Sequence, residues 1–304
     1  MIKISVVGLG QMGKNHLNNL LNIKNINLTN IYDKIKKKEL EKKYNTKFAD
    51  NIKNVINSSD AIIIASPTQT HFKYFLTCSK RIKNIFIEKP LVIKTSEFKK
   101  ILKIVKKKKI NLKVGYIERY NPTIQVVKKI LKKDKILNLD FIRTNNRQNV
   151  INDTDIIFDV MTHDIDLALY LGGNVKKISS KGLKKRNKII FATSTLEHDN
   201  KCITRILSNS ECAKKIRILN ITTEKKYISA NLLTREIVIT NKKYNKKQSN
   251  NLEKKINAPN KNALLEELKD FIESCKKKPN NNLLSAFYKN TLICKEIKRQ
   301  ILLN

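Results

Sequence analysis

Asp159, His163, Asp166 and Tyr170 fall four, three and four residues apart within Phe158-Asp159-Val160-Met161-Thr162-His163-Asp164-Ile165-Asp166-Leu167-Ala168-Leu169-Tyr170-Leu171. On an α-helix that spacing lines all four along one face. The rest of the stretch, Asp164 apart, is mostly apolar, which predicts a buried helix. A polar stripe on a buried helix must meet partners or a ligand, because unpaired buried polar groups are costly. The Asp159/His163 pair suits general-base work: the carboxylate orients the imidazole and stabilises its charged form. The same four residues could equally form a satisfied network in a core. Lys89 is a second candidate. Most lysines of this chain read as solvated charges, but Lys89 ends the apolar run Asn84–Glu88 and is pinned by Pro90. A cis bond there would turn its side chain into a cleft. His16 and His71, each near a helix start, could touch a bound molecule or could be structural.

Phosphate chemistry is written at the start of the chain. The apolar run Ile4-Ser5-Val6-Val7 leads into Gly8-Leu9-Gly10-Gln11-Met12-Gly13, a helical segment follows from Lys14 to Leu21, and the second run, Leu28 to Tyr32, closes on Asp33. Gly8 allows the tight turn, Gly10 lets a pyrophosphate approach the backbone, and Gly13 lets helix and strand pack closely. The free N–H groups and the dipole of the helix N-terminus favour an anion. Asp33 stands about twenty residues past Gly13, where a carboxylate accepts hydrogen bonds from a ribose 2′-OH. That favours NAD, while Lys34 and Lys36 keep NADP open. The alternative is a tight strand–helix turn that holds no ligand.

Strands and helices must position these groups. A helix is expected over Ile35–Tyr44, a buried strand over Asp60–Ala65 ended by Ser66-Pro67-Thr68, and a helix over Thr70–Lys80. A strand over Asn84–Glu88, a helix over Ser96–Lys108 and a strand over Leu112–Tyr116 follow. Alternation of this kind means a parallel sheet covered on both faces, so residues 1–120 read as a dinucleotide-binding domain. Ligands of such sheets bind beyond the carboxyl ends of the strands. Those ends carry Ser66, Pro67, Thr68 and His71; Glu88, Lys89 and Pro90; and Gly115-Tyr116-Ile117-Glu118-Arg119-Tyr120-Asn121-Pro122. The pattern then changes. A helix over Pro122–Lys133 and a strand over Leu137–Arg147 precede the His163 helix. Strands near 175–183, 187–197, 201–209, 213–222 and 226–240 then follow one another, which means an antiparallel sheet. Residues 241–259 read as an exposed loop, and helices over Lys261–Lys277 and Leu283–Leu303 close the chain. Residues 121–304 therefore read as a second, substrate-binding and oligomerisation domain.

Composition narrows the function classes. A length of 304 residues suits two domains, and 40% apolar residues can fill sizeable cores. No apolar run reaches about 18 residues, so no transmembrane helix is expected. The first strand begins at Ile2, which leaves no room for a signal peptide. Five scattered cysteines without a CxxC pair read as free thiols in a reducing cytoplasm, with no metal spacing. The net charge of +37 could mark a nucleic-acid binder. However, Lys, Asn and Ile are abundant everywhere and Arg is scarce, so composition rather than a specific nucleic-acid site explains the charge. Weak adhesion to polyanions at low salt is still expected.

Taken together, Gly8–Gly13, Ser66-Pro67-Thr68 with His71, Glu88-Lys89-Pro90, Arg119 and Asp159-x3-His163-x2-Asp166 resemble the Gfo/Idh/MocA oxidoreductases, in that family's order and over nearly the whole chain. The resemblance implies an α/β architecture: an N-terminal Rossmann domain followed by an α/β domain with a large open, mostly antiparallel sheet. It implies catalysis by Lys89, Asp159 and His163. It implies cofactor contacts from Gly8, Gly10, Gln11, Met12, Gly13, Asp33, Ser66, Pro67, Thr68, His71 and Glu88. Substrate contacts would come from Lys89, Tyr116, Arg119, Asn121, Asp159 and His163. The implied reaction is NAD(P)-dependent oxidation of a secondary hydroxyl on a sugar or sugar nucleotide by a cytoplasmic homo-oligomer, a dimer or tetramer. Within the family, residues 115–122 and 159–166 are similar to the UDP-N-acetylglucosamine 3-dehydrogenase branch. Two other readings stay open: a free-sugar or cyclitol dehydrogenase, and a cofactor-binding regulator that has lost catalysis. The chain departs from the family pattern in the glycine-free turn Lys80–Asn84 and in Met161, where a small residue is usual.

Overall fold

The computed structural model describes residues 1–37, 39–132, 134–146, 155–186, 188–241 and 253–303. They form two compact units, Met1–Ile117 with Asn262–Tyr288, and Glu118–Lys261 with Lys289–Asn304.

In the first unit the chain runs β1 (Ile2–Val7), α1 (Gln11–Leu20), β2 (Ile26–Tyr32), α2 (Glu39–Tyr44), β3 (Lys47–Phe48), α3 (Ile52–Asn57), β4 (Ala61–Ile64), α4 (Thr68–Cys78), β5 (Asn84–Glu88), α5 (Thr95–Lys108) and β6 (Asn111–Gly115). The six strands form one parallel sheet in the order β3-β2-β1-β4-β5-β6. Strand β4 shows why the sequence reads as a continuous apolar run. Ile62 and Ile64 feed one core with Phe75 of α4 and Phe98 of α5. Ala61 and Ile63 feed the opposite core with Leu17 of α1. Both faces are covered, so neither alternates with polar residues. The short β3 and α3 are not foreseen from the sequence; Asn51 starts α3 by accepting the Asn54 N–H at 3.0 Å. Helix α2 starts at Glu39 rather than Ile35, because Asp33 Oδ1 accepts the Ile35 N–H at 3.3 Å and holds a turn there.

The second unit begins with a 3-10 turn, Ile117–Tyr120, and α6 (Pro122–Leu131), then β7 (Ile136–Asn146). A π-helical turn, Ile157–Met161, runs directly into α7 (Thr162–Gly172). There follow β8 (Val175–Lys185), β9 (Lys188–His198), β10 (Ile203–Asn209), β11 (Glu211–Thr223), β12 (Lys226–Asn231), β13 (Glu236–Asn241) and β14 (Glu253–Asn257). The sheet order is β14-β13-β12-β11-β7-β10-β9-β8. Every neighbouring pair is antiparallel except β7 and β10, which a crossover through α7 and the β8–β9 hairpin leaves parallel. One face is packed on a core that includes Phe141, Leu219, Ile165 and Leu167.

The strand expected over 226–240 is two strands. Asn231 Oδ1 accepts the N–H groups of Leu233 and Thr234 at 2.9 and 3.1 Å, and Arg235 takes φ 71°, so a turn interrupts it. Part of the loop expected over 241–259 is strand β14; Arg147, the expected end of β7, and residues 242–252 lie outside the described residues. The chain then returns to the first unit. Asn262 caps α8 (Ala263–Ser274), whose Leu264, Leu268 and Phe271 pack with Leu17 and Phe86. A single boundary near residue 120 therefore does not describe the compact units. The last helix, α9 (Leu284–Leu303), gives Ile293, Cys294, Ile297 and Ile301 to the core of the second unit. Among the described residues no helix is long and apolar enough to cross a membrane.

Candidate active site

The glycine turn between β1 and α1 has the contacts that its sequence requires. Gly8 sits at φ +92°, and a Cβ there would lie 2.4 Å from the Ser66 backbone nitrogen. A Cβ on Gly13 would lie 1.9 Å from the Gly8 carbonyl oxygen, which is the close approach of helix to strand. Gly10 differs: a Cβ there would meet nothing within 4 Å, so its backbone is open to an incoming group. Gly10 is also the N-cap of α1, with no side-chain cap and no acidic residue in the first turn. The turn thus offers uncapped N–H groups and a positive helix end beside open space, which fits a pyrophosphate. Gln11 is exposed and reaches Asn15, while Met12 is half-buried beside the same residue. Asp33, at the end of β2, is fastened to this turn: its Oδ2 accepts the Leu9 N–H at 2.7 Å. Lys37 Nζ lies 4.0 Å from that oxygen and donates to the Leu9 carbonyl at 3.1 Å.

The next two strand ends are tied together by His71. Its Nε2 lies 2.8 Å from the Ser66 carbonyl, and its Nδ1 lies 3.1 and 3.2 Å from those of Pro90 and Leu91. Burial pushes the imidazole below its ordinary 6.5, outweighing the three carbonyls, which favour the proton. Ser66 Oγ pairs with Thr70 Oγ1 at 2.7 Å, Pro67 is the N-cap of α4, and Thr68 is its first residue. At the end of β5, Glu88 is 8% exposed and pairs through Oε1 with His16 Nε2 at 2.6 Å. Its Oε2 accepts the Lys89 N–H at 3.2 Å. Gly115 leaves room for this carboxylate, since a Cβ there would lie 2.8 Å from Glu88 Oε2 and would have to displace it. Lys89 is half-buried, and the Lys89–Pro90 peptide is cis, as the sequence leads one to expect. Tyr116 is buried and stacked on Phe287, with ring centroids 4.6 Å apart.

In the second unit the Asp159–Tyr170 stripe is not one regular α-helix. Asp159 lies in the π turn and His163 in the first turn of α7. Both are half-buried, as is Tyr170, whereas Asp166 is 1% exposed. Single π turns inside helices occur often at functional sites. Asp155 starts the segment by accepting the Ile157 and Phe158 N–H groups at 3.1 and 3.3 Å. Asp166 receives a two-pronged hydrogen bond from Arg119 Nε and Nη2, both at 2.7 Å. The Arg119 guanidinium also lies over the Tyr170 ring, 4.8 Å from its centroid. Asn121 caps α6 by accepting the Thr123 N–H and donates to Glu118 at 3.0 Å. Arg119 and Asn121 are therefore engaged with the scaffold that carries α7. Among the described residues no group of three or more His, Cys, Asp or Glu side chains could hold a metal ion.

Sequence reasoning gave His16 only an either-way reading and assigned no role to Arg143 or Asp164. Each owes its place to a partner distant in sequence: His16 to Glu88, and Arg143 to Asp164 and Glu118. Only the break in the apolar alternation of β7 at Arg143 hints at a buried charge.

Comparison with known proteins follows the same outline. Residues 2–116 match the model of the Gfo/Idh/MocA group, described as an oxidoreductase family with an NAD-binding Rossmann fold. The UDP-N-acetylglucosamine 3-dehydrogenase of Acidithiobacillus ferrooxidans is 22% identical over 245 residues, covering 78% of this chain and 76% of that enzyme. The myo-inositol 2-dehydrogenase of Thermotoga maritima is 26% identical over 194 residues, covering 60% of this chain and 58% of its own length. A match to the uncharacterized oxidoreductase YrbE of Bacillus subtilis likewise spans 57% of that protein, less than two thirds of it. A crystal structure of the Acidithiobacillus enzyme superposes with a TM-score of 0.90 at 20% identity, covering 99% of this chain and 97% of that one. Levoglucosan dehydrogenase in complex with NADH and L-sorbose superposes with a TM-score of 0.87 at 15% identity, covering 99% of this chain and 96% of that one. Both share the two-sheet α/β fold.

Proposed function

Because residues 2–116 belong to the Gfo/Idh/MocA oxidoreductase family, we propose that the whole chain is an NAD(P)-dependent dehydrogenase of a sugar or sugar nucleotide, acting on a secondary hydroxyl. The observation that carries the cofactor part is the open backbone at Gly10 beside an uncapped helix end and a fastened Asp33. Gly8, Gly10 and Gly13 would hold the pyrophosphate, Asp33 the ribose, and the loops at Ser66–His71 and Glu88–Lys89 the nicotinamide end. The cofactor, when bound, supplies the hydride acceptor.

The chain's own residues supply the rest. His163 takes the hydroxyl proton as the carbon gives up its hydride, so alcohol becomes ketone with no other reactant. Asp159 favours the charged imidazole that results. Lys89 steadies the negative charge that grows on the oxygen, a kind of contribution that is often worth several kcal/mol. UDP-N-acetylglucosamine, oxidised at C3, is the substrate favoured by the similarity of residues 115–122 and 159–166 to that branch. A cyclitol is the second reading, favoured by the inositol dehydrogenase among the relatives. The side of the second unit's sheet away from its core carries half-buried Ile142, Leu207 and Ile218, which suits burial against a second copy.

A panel of UDP-sugars, free sugars and cyclitols, with reduction of NAD and NADP as the readout, tests the reading. Turnover with one of these compounds is expected. His163→Ala should then lower turnover by roughly 10²–10⁴-fold while NAD affinity holds. A variant that keeps its turnover and loses only melting temperature would make His163 a core residue and end the mechanism.

A further inference from the structure

The second unit contains a buried charge network that the proposed reaction does not use directly. Arg143 of β7 is 4% exposed and Asp164 of α7 is 1% exposed. Arg143 Nε lies 3.0 and 2.8 Å from the two Asp164 oxygens, and Nη2 lies 2.7 Å from Oδ1. The remaining arm, Nη1, donates to Glu118 Oε1 at 2.9 Å. Arg217 stands directly opposite Arg143 across the β7–β11 pair. Facing like charges are unfavourable, and the Glu118 carboxylate reconciles them by also accepting from Arg217 Nη1 at 3.2 Å. Burial alone would raise the Glu118 carboxyl, but the two guanidiniums outweigh it and hold it below the ordinary carboxylate range.

The placement of this network on α7 is specific. Successive residues of an α-helix are turned by about 100°. Asp164, one residue after His163, therefore points about 100° to one side of it, and Asp166, three residues after, about 60° to the other. Both carboxylates are held by guanidinium forks, Asp164 by Arg143 and Asp166 by Arg119. The direction of His163 is bracketed by two locked neighbours, so α7 can neither rotate nor slide without breaking one fork. A buried ion pair adds little stability compared with apolar packing, and its best-attested use is to fix register.

We propose that Arg143 is a positioning residue for the Asp159/His163 pair, acting through Asp164 and Glu118. The proposal rests on the reading of His163 as the proton acceptor. Arg143→Lys keeps the charge and loses the fork. With NAD and UDP-N-acetylglucosamine, or the best compound of the panel, it should lower kcat at least tenfold and leave NAD affinity unchanged. In a His163→Ala background the same change should cost nothing further, since both act on one step. The chain has four histidines, so the His163 Cε1–H signal can be assigned in proton spectra. Arg143→Lys should move that signal and leave the His71 signal in place. If Arg143→Lys folds poorly, the triple variant Arg143→Met, Asp164→Leu, Glu118→Gln removes the charge of Arg143 and those of both its carboxylate partners, leaving only the half-buried Arg217. It should melt near the parent temperature and still turn over slowly. An unchanged kcat and an unmoved His163 signal, beside a large loss in His163→Ala, would overturn the proposal alone. Additive losses in the double variant would do the same. Full turnover by His163→Ala would overturn the reading beneath it, and the proposal with it.

Discussion

The Asp33 carboxylate accepts the Leu9 N–H, which shapes the glycine turn, and in the function proposed above it would also meet a ribose 2′-OH. Lys37, a half-buried neighbour that the sequence reading passed over in favour of Lys34 and Lys36, sits 4.0 Å away. We expect NAD to bind more tightly than NADP, and Asp33→Ser to erase most of that preference, because removal of the carboxylate leaves three nearby lysines to greet a 2′-phosphate. Titration of both cofactors into parent and variant decides it; a parent that prefers NADP would show that the lysines already prevail. At this scale the glycines were legible because their spacing belongs to one strand–turn–helix unit, although what crowds Gly8 is Ser66 at the next strand end. The Glu88–His16 and Arg143–Asp164 pairs were not, because a side chain's partner across 72 or 21 residues leaves no local periodicity.

Elements repeat the lesson with a different cause. Strands buried on both faces, such as β4, were readable from composition alone, and so was α7 as an apolar segment. The π turn before α7 was not, since it conserves the residues of an α-helix and changes only their angular spacing. Nor was the break between β12 and β13, made by one asparagine side chain. One buried histidine pins element ends in each unit: His71 joins the ends of β4 and β5, and His198 reaches the Gly173 carbonyl after α7 and Thr204 of β10. Burial holds both imidazoles below their ordinary 6.5. The unfolded chain therefore takes up these protons first as the pH falls. The stability they contribute is complete above 6.5 and is lost as the pH drops through the interval below it. Melting temperature should fall between about pH 7 and about pH 5, and less steeply in His71→Gln, which has no proton to gain there. An identical slope in the variant would assign the fall to other groups.

For the molecule as a whole, a net charge of +37 sets the conditions under which it is stable. Many lysines lie on solvated faces, such as that of α5, where they repel one another over roughly 10 Å at about 0.1 M salt. Raising salt from low to moderate concentration should raise the melting temperature and abolish any adhesion to heparin or DNA. Adhesion that survives moderate salt would call for a specific polyanion site. The path of the chain has a consequence of another kind. Asn262–Tyr288 completes the unit begun by Met1–Ile117, and Phe271 of α8 packs edge-on against Phe86 of β5. During synthesis the whole of Glu118–Lys261 must leave the ribosome before Phe86 can meet its cover. The first unit to be translated is thus among the last to be finished, and until then its apolar flank at Phe86 lacks the cover that α8 provides.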